Sequence, residues 1–311
     1  FIMPNYQGVW SLSEQYQNRT GWPTFVIAGK AIFAGGAYNN AANNAISIID
    51  MTSTGDGTDF GNLSAGRHRP SCTSSSTRAL TSGGYSGSSV TNIIDYITFA
   101  STGNASDFGD ITVARGVGGA CGSSTRGVVT GGIKTNGDRT NIMDYVTIAS
   151  TGNALDFGDL TQVIDNISGG ASNGTRGITS VGGYNGSASV NTIEYITISS
   201  TGNGTDFGDT LTANFAYGAA SNSTRAILPI KLVIEYITIA STGNSLDFGD
   251  MLANINDVVG VANSTKCLIG GNAVSLSHVF ISTLGNGVDF GDLPASSAGT
   301  AAISSTHGGL Q

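Results

Sequence analysis

Asn191-Thr-Ile-Glu-Tyr-Ile-Thr-Ile-Ser199, followed by Ser200-Thr-Gly-Asn203 and Asp206-Phe-Gly-Asp209, is the stretch that decides the fold. Its first half is rich in Ile, Tyr and Thr, the residues that suit a pleated strand. Gly, Asn and Ser bound it, as they bound strands generally. The second half recurs, with small variations, along the whole chain. Its Phe stands at Phe60, Phe108, Phe157, Phe207, Phe248 and Phe290, at spacings of 48, 49, 50, 41 and 42 residues. A period of that size belongs to propeller blades or helical solenoids, and the strand composition selects the propeller.

Each copy divides into four strands, a to d. In the third copy they are expected near Gly116–Ser123, Thr125–Gly132, Asn141–Ser150 and Leu155–Leu160. Strand b ends in a glycine pair at Gly35-Gly36, Gly83-Gly84, Gly131-Gly132, Gly182-Gly183 and Gly270-Gly271, and the fifth copy lacks it. Four-stranded units repeated six times close into a radial array. The first copy has no strand a before Lys30, and a surplus one stands at Ala298–Ser305, followed by Thr306-His307. The last strand is therefore expected to complete the first blade, removing a free sheet edge. The fold class expected is all-β, a six-bladed β-propeller at 24–311 closed by a C-terminal strand. A short helix at Ser11–Gln17, with Ser11 and Glu14 as a capping box and Gly21 and Pro23 as its stop, makes 1–23 an N-terminal helical arm.

The double glycine closing strand b, the Tyr of strand c and the aromatic of strand d together resemble the kelch repeat family. Kelch repeats usually place Trp in the last strand, where this chain has the Phe of Asp-Phe-Gly-Asp, so the resemblance is to a divergent, kelch-like form. It covers about Thr24–Thr306. Tyr236-Ile-Thr-Ile-Ala-Ser-Thr-Gly-Asn244 and Ser124-Thr-Arg-Gly-Val128 look like repeats in structural and tail-fibre proteins of marine tailed phages. So does the lead-in Gly8-Val-Trp-Ser-Leu-Ser-Glu-Gln-Tyr16 with Trp22-Pro23. That resemblance implies a virion protein at the surface of an extracellular particle. It implies host attachment as the role and other virion proteins as partners of 1–23, with a homo-oligomer as the usual state of such fibres.

Composition narrows the chemistry. Of 311 residues 11% are charged and the net charge is −8, without a basic block. Nucleic acid is not expected as a partner, because phosphate binding needs clustered Lys and Arg. No apolar run reaches the length of a membrane helix. Cys72, Cys121 and Cys267 have no paired spacing and read as buried free thiols. His68, His278 and His307 stand in no metal-ligand or nucleophile–base spacing, so no metal and no cofactor is implied. The repeated Asp-Phe-Gly lacks the other kinase motifs and reads as turn chemistry. Calcium on these turns is disfavoured, because each offers about two carboxylates. The small residues of strand a, as in Gly118-Gly119-Ala120, suit strands that converge on an axis. The basic residues opening strand b and the acids of strand c (Asp95, Asp144, Glu194, Glu235) read as structural ion pairs and hydrogen bonds.

Function on a repeat scaffold sits where the repeats differ. From each Phe to the next strand-b position the count is 18, 18, 19, 18, 18 and 17, ending on His307 in the last copy. From strand b to the next Phe it is 30, 30, 31, 31, 23 and 24. All the variation lies between strands b and c, so blades one to four carry long b–c loops. These loops share a face with the d–a linkers. The candidate receptor-binding residues are Tyr38, Tyr85, Lys134, Asp138, Arg139 and Tyr184 in the loops and Arg67, His68 and Arg69 in a linker, with Arg115 in the next. Tyr among Asn, Ser and Gly suits adaptable recognition. The expectation is a non-enzymatic structural protein that shows this face to a host-surface glycan or protein. The alternatives are a carbohydrate-active propeller enzyme, which needs a unique carboxylate pair, and a cell-surface lectin-like module.

Overall fold

A computed structural model describes residues 29–38, 41–165, 170–215, 218–295 and 298–306. The expected arm at 1–23 with its helix, the side chain of Tyr38, and His307 lie outside the described residues. What is described is all-β, a six-bladed propeller. The third blade orders its strands Gly119–Gly122, Arg126–Thr130, Ile142–Thr147 and Leu155–Asp159 from axis to rim. These fall inside the four stretches expected from sequence. In blade five one uninterrupted run, Arg225–Thr238, supplies both b and c. It pairs with strand a at Ala226 and Ile227 and with strand d at Val233–Tyr236.

Ring closure is as expected. Ala301–Ser304 pairs antiparallel with Lys30–Ala34, in register from Ala31 opposite Ser304 to Ala34 opposite Ala301. The two ends of the described chain thus share one sheet, and blade one is held by the C-terminal strand.

The apolar core lies between blades rather than within one central nucleus. Each of the six Asp-Phe-Gly phenylalanines belongs to a separate buried cluster shared by two neighbouring blades. Phe108, for example, packs with Leu80 and Ile94 of blade two and Val129, Val146 and Ile148 of blade three. In blades two to five the strand-c Tyr meets this Phe edge to face, as Tyr96 does Phe108 at 5.9 Å, an arrangement the ring quadrupoles favour.

The repeated phrase also clasps each blade to the next. The Asn of the turn accepts a hydrogen bond from the backbone N of the last motif residue one blade earlier. These bonds join Asn104 to Asn62, Asn153 to Asp110, Asn203 to Asp159, Asn244 to Asp209 and Asn286 to Asp250. Asp56, which replaces Asn in the first copy, accepts from Asp292 and closes the circle at 3.0 Å. The turn Gly donates to the carbonyl of the preceding blade's motif Phe at every interface. The glycine of Asp-Phe-Gly is required by this approach. A Cβ on Gly109 would lie 2.5 Å from the Gly152 carbonyl oxygen, at φ +142.

At the axis the small strand-a residues leave a cavity of about 80 Å³. Ser71, Ser172, Ser221 and Ser304 donate across it to the backbone carbonyls of Gly118, Gly122, Ser172 and Ala262 in neighbouring blades. The three cysteines are free, and burial pushes Cys72 up to about 11 and Cys121 and Cys267 up to about 12, which leaves them as thiols at neutral pH.

Candidate functional site

The four long b–c loops are built as hairpins, and each is tied to the d–a linker beside it. In blade one Ala37–Tyr38 pairs with Ala41–Ala42, and Ala37 bridges Ala298. In blade two Tyr85–Ser86 pairs with Ser89–Val90, and Tyr85 bridges His68. In blade three Ile133 bridges Arg139, and Ile133–Lys134 pairs with Arg115–Gly116. In blade four Tyr184 pairs with Ser189 and bridges Asp165. Among the described residues blades five and six have no such hairpin. One face of the ring therefore has a raised arc of four hairpins and a low arc of two short turns.

The glycine pairs are the roots of these hairpins. In blades one to four both glycines are left-handed, from Gly131 at φ 60 to Gly183 at φ 132. The second donates its N–H to the next linker, as Gly84 does to the Arg115 carbonyl at 3.0 Å. In blade five, where the pair is missing, Lys231 itself takes φ 51.

Of the residues expected on this face, the structure groups most. Tyr85 lies flat against His68, ring centroids 5.3 Å apart and planes 13° apart. Burial, then the charge of Arg69, draws the His68 pKa down, so its imidazole is the neutral partner of this stack. Burial raises the Tyr85 phenol, with Asp165 adding to the effect. Arg139 lies over the Tyr184 ring at 4.7 Å and pairs with the buried Asp165 at 3.3 Å. Arg69 reaches past Gly299 of the blade-one linker to Asp257 in the linker between blades five and six, 3.0 Å away, and this pair lines a small cavity with Pro70, Val117, Val259 and Thr300. Lys134 and Asp138 face each other at the tip of the blade-three hairpin, where Lys134 N donates to the Asp138 carbonyl.

Arg67 is placed differently from the sequence expectation. Its side chain is wholly buried and pairs with Asp95 at 2.7 Å, while also donating to the Thr81 carbonyl. Arg115 does the same with Asp144 at 2.6 Å. A surface contact is closed to both, because each guanidinium neutralises a strand-c carboxylate inside the ring. Burial draws the Arg67 pKa down, and Asp95 opposes that shift. The sequence signal was available. Where the linker has Arg, strand c has Asp. Where the linker has Ile164 or Asn214, strand c has the longer Glu194 or Glu235. Glu194 then accepts from Thr161 N and Oγ1, both at 2.9 Å, and burial raises its pKa.

The basic residues opening strand b do not pair with those acids. Arg78, Arg126, Arg176 and Arg225 stack on Tyr96, Tyr145, Tyr195 and Tyr236 at 4.3–4.8 Å. Each also donates to the carbonyl of the residue just past strand c of the next blade, as Arg126 does to Ile198 at 2.9 Å. They are blade-to-blade staples on the turn face.

Among the described residues no group of three or more His, Cys, Asp and Glu is placed to hold a metal ion. No helix among them is long and apolar enough to cross a membrane. No model of a known protein family matches the chain, and no curated protein does.

Proposed function

We propose that this kelch-like propeller is a non-enzymatic virion component, a tail-fibre or appendage protein whose hairpin face recognises a host-surface glycan or protein. In this reading 1–23 is the arm that fastens it to the particle, and the chain works at the surface of the extracellular particle. The observation that carries the recognition role is the raised arc itself. Four hairpins, each tied to a linker, hold half-buried Tyr85, Tyr184 and Arg139 in place before any ligand arrives. Rigid aromatic anchors bind at low entropic cost. A stepped face also buries more of a ligand than six near-identical turns.

The test compares binding of labelled protein to host cells. Tyr85→Ala with Tyr184→Ala should weaken binding about tenfold or more, since aromatic anchors dominate interfaces. Thr102→Ala with Thr151→Ala on the opposite face is the control, because both threonines are exposed and outside the clasp. Thermal melts of both variants check that the ring is intact. Loss of binding in the control with a silent Tyr pair overturns the choice of face. Absence of the chain from purified particles overturns the virion role.

A further inference from the structure

The exposed large apolar side chains are unevenly distributed. Outside Leu155 and Val163, those of the described residues lie in blades five and six or in the linker leading to them. Two in blade six break the repeat. At the first, blades one to five carry Asp50, Thr98, Thr147, Thr197 and Thr238, and blade six carries Phe280. At the second they carry Thr54, Thr102, Thr151, Thr201 and Thr242, and blade six carries Leu284. Phe280 has a local reason, since its ring meets His278 at 5.5 Å where blades two to five have Tyr. That contact still leaves Phe280 51% exposed, and Leu284 is 60% exposed. Val288, 57% exposed, pairs with His278 and extends the same patch.

The N-terminal chain joins the ring beside this patch. Gly29 sits against Asn263, in the a–b turn of blade six. Three residues on, Lys266 pairs with Phe280 across the sheet. The 28 residues before Gly29 include Phe1, Ile2, Trp10, Leu12, Tyr16, Trp22 and Phe25. We infer that the apolar edge of blade six, centred on Phe280 and Leu284, is the seat for residues 1–28 of the same chain. Large apolar groups replace the Thr or Asp of the other blades in the blade whose a–b turn meets Gly29, and the segment alongside has apolar residues to cover them. Burying both surfaces is the driving force. The seat gives the arm a defined direction from the ring. It needs neither particle nor receptor, so its failure leaves the recognition reading untouched.

The chain of residues 1–311 tests this directly. Its two tryptophans, Trp10 and Trp22, both lie in the segment, so tryptophan emission reports that segment alone. Arg19 is the only Lys or Arg before Gly29, so trypsin cleavage there reports it too. Phe280→Thr with Leu284→Thr should shift the emission to the red and speed cleavage at Arg19 on the order of tenfold, as partial loss of two apolar contacts implies. Leu284→Thr alone, which installs the residue of the other blades, should shift both in the same direction by less and guards against a folding defect. Equal emission and equal cleavage in all three proteins overturn the inference. Protection that rises with protein concentration also overturns it, by assigning the patch to a second copy.

Discussion

Arg67 shows how much one residue can mislead and then explain. By sequence it stands in a run, Arg67-His68-Arg69, that reads as a basic surface. In the fold these three residues divide their work. Arg67 is sealed inside with Asp95, His68 backs Tyr85, and Arg69 reaches past Gly299 to Asp257. Removing one member of a buried pair is costly, because the remaining charge has no solvent. Arg67→Ala should destabilise the protein by about 3–5 kcal/mol in urea denaturation. Replacing both partners, Arg67→Met with Asp95→Leu, should restore most of that loss. A double variant as unstable as the single one would show that the pair supports more than its own charges.

At the scale of the element, the b–c hairpin depends on its glycine pair. Gly83 has φ 63, and a Cβ there would lie 2.4 Å from the Arg115 carbonyl oxygen. Gly83→Ala should therefore cost at least about 1–3 kcal/mol, the scale of a strained backbone, and should loosen the blade-two hairpin from its linker. Amide exchange at Tyr85, whose N–H is bonded to the His68 carbonyl, reads that loosening. An Ala variant with native exchange and native stability would mean the hairpin does not need the left-handed turn. The strands themselves were legible, because Ile, Tyr and Thr runs between Gly and Asn punctuation need only local chemistry. The hairpins within the loops were not. Their pairs are two residues long, as in Tyr85–Ser86 with Ser89–Val90, too short for any alternation to register.

Across the whole molecule, stability is a ring of six similar interfaces closed by one strand exchange. Each interface has an apolar cluster, a turn clasp and a basic residue reaching into the next blade, except that blade six presents Lys266 to the rings of Phe280 and Phe290. Deleting 298–311 removes the strand opposite Lys30–Ala34 and the Ser304 bond to Ala262. It should lower the melting temperature by more than 10 °C, roughly the effect of losing several kcal/mol in a domain of this size. A melt within a few degrees of the full chain would show that closure is not what holds the ring. The sequence by itself determined the blade count, the strand order within a blade and the exchange of the last strand. Those follow from a period and from local strand and turn preferences, which a single chain displays. Only the tertiary structure decided that the turn Asn serves the preceding blade, that Arg67 and Arg115 are internal, and that Arg69 meets Asp257 from a linker two blades away. These depend on which residues distant in sequence come together when the ring closes, and that proximity exists only once all six blades are in place.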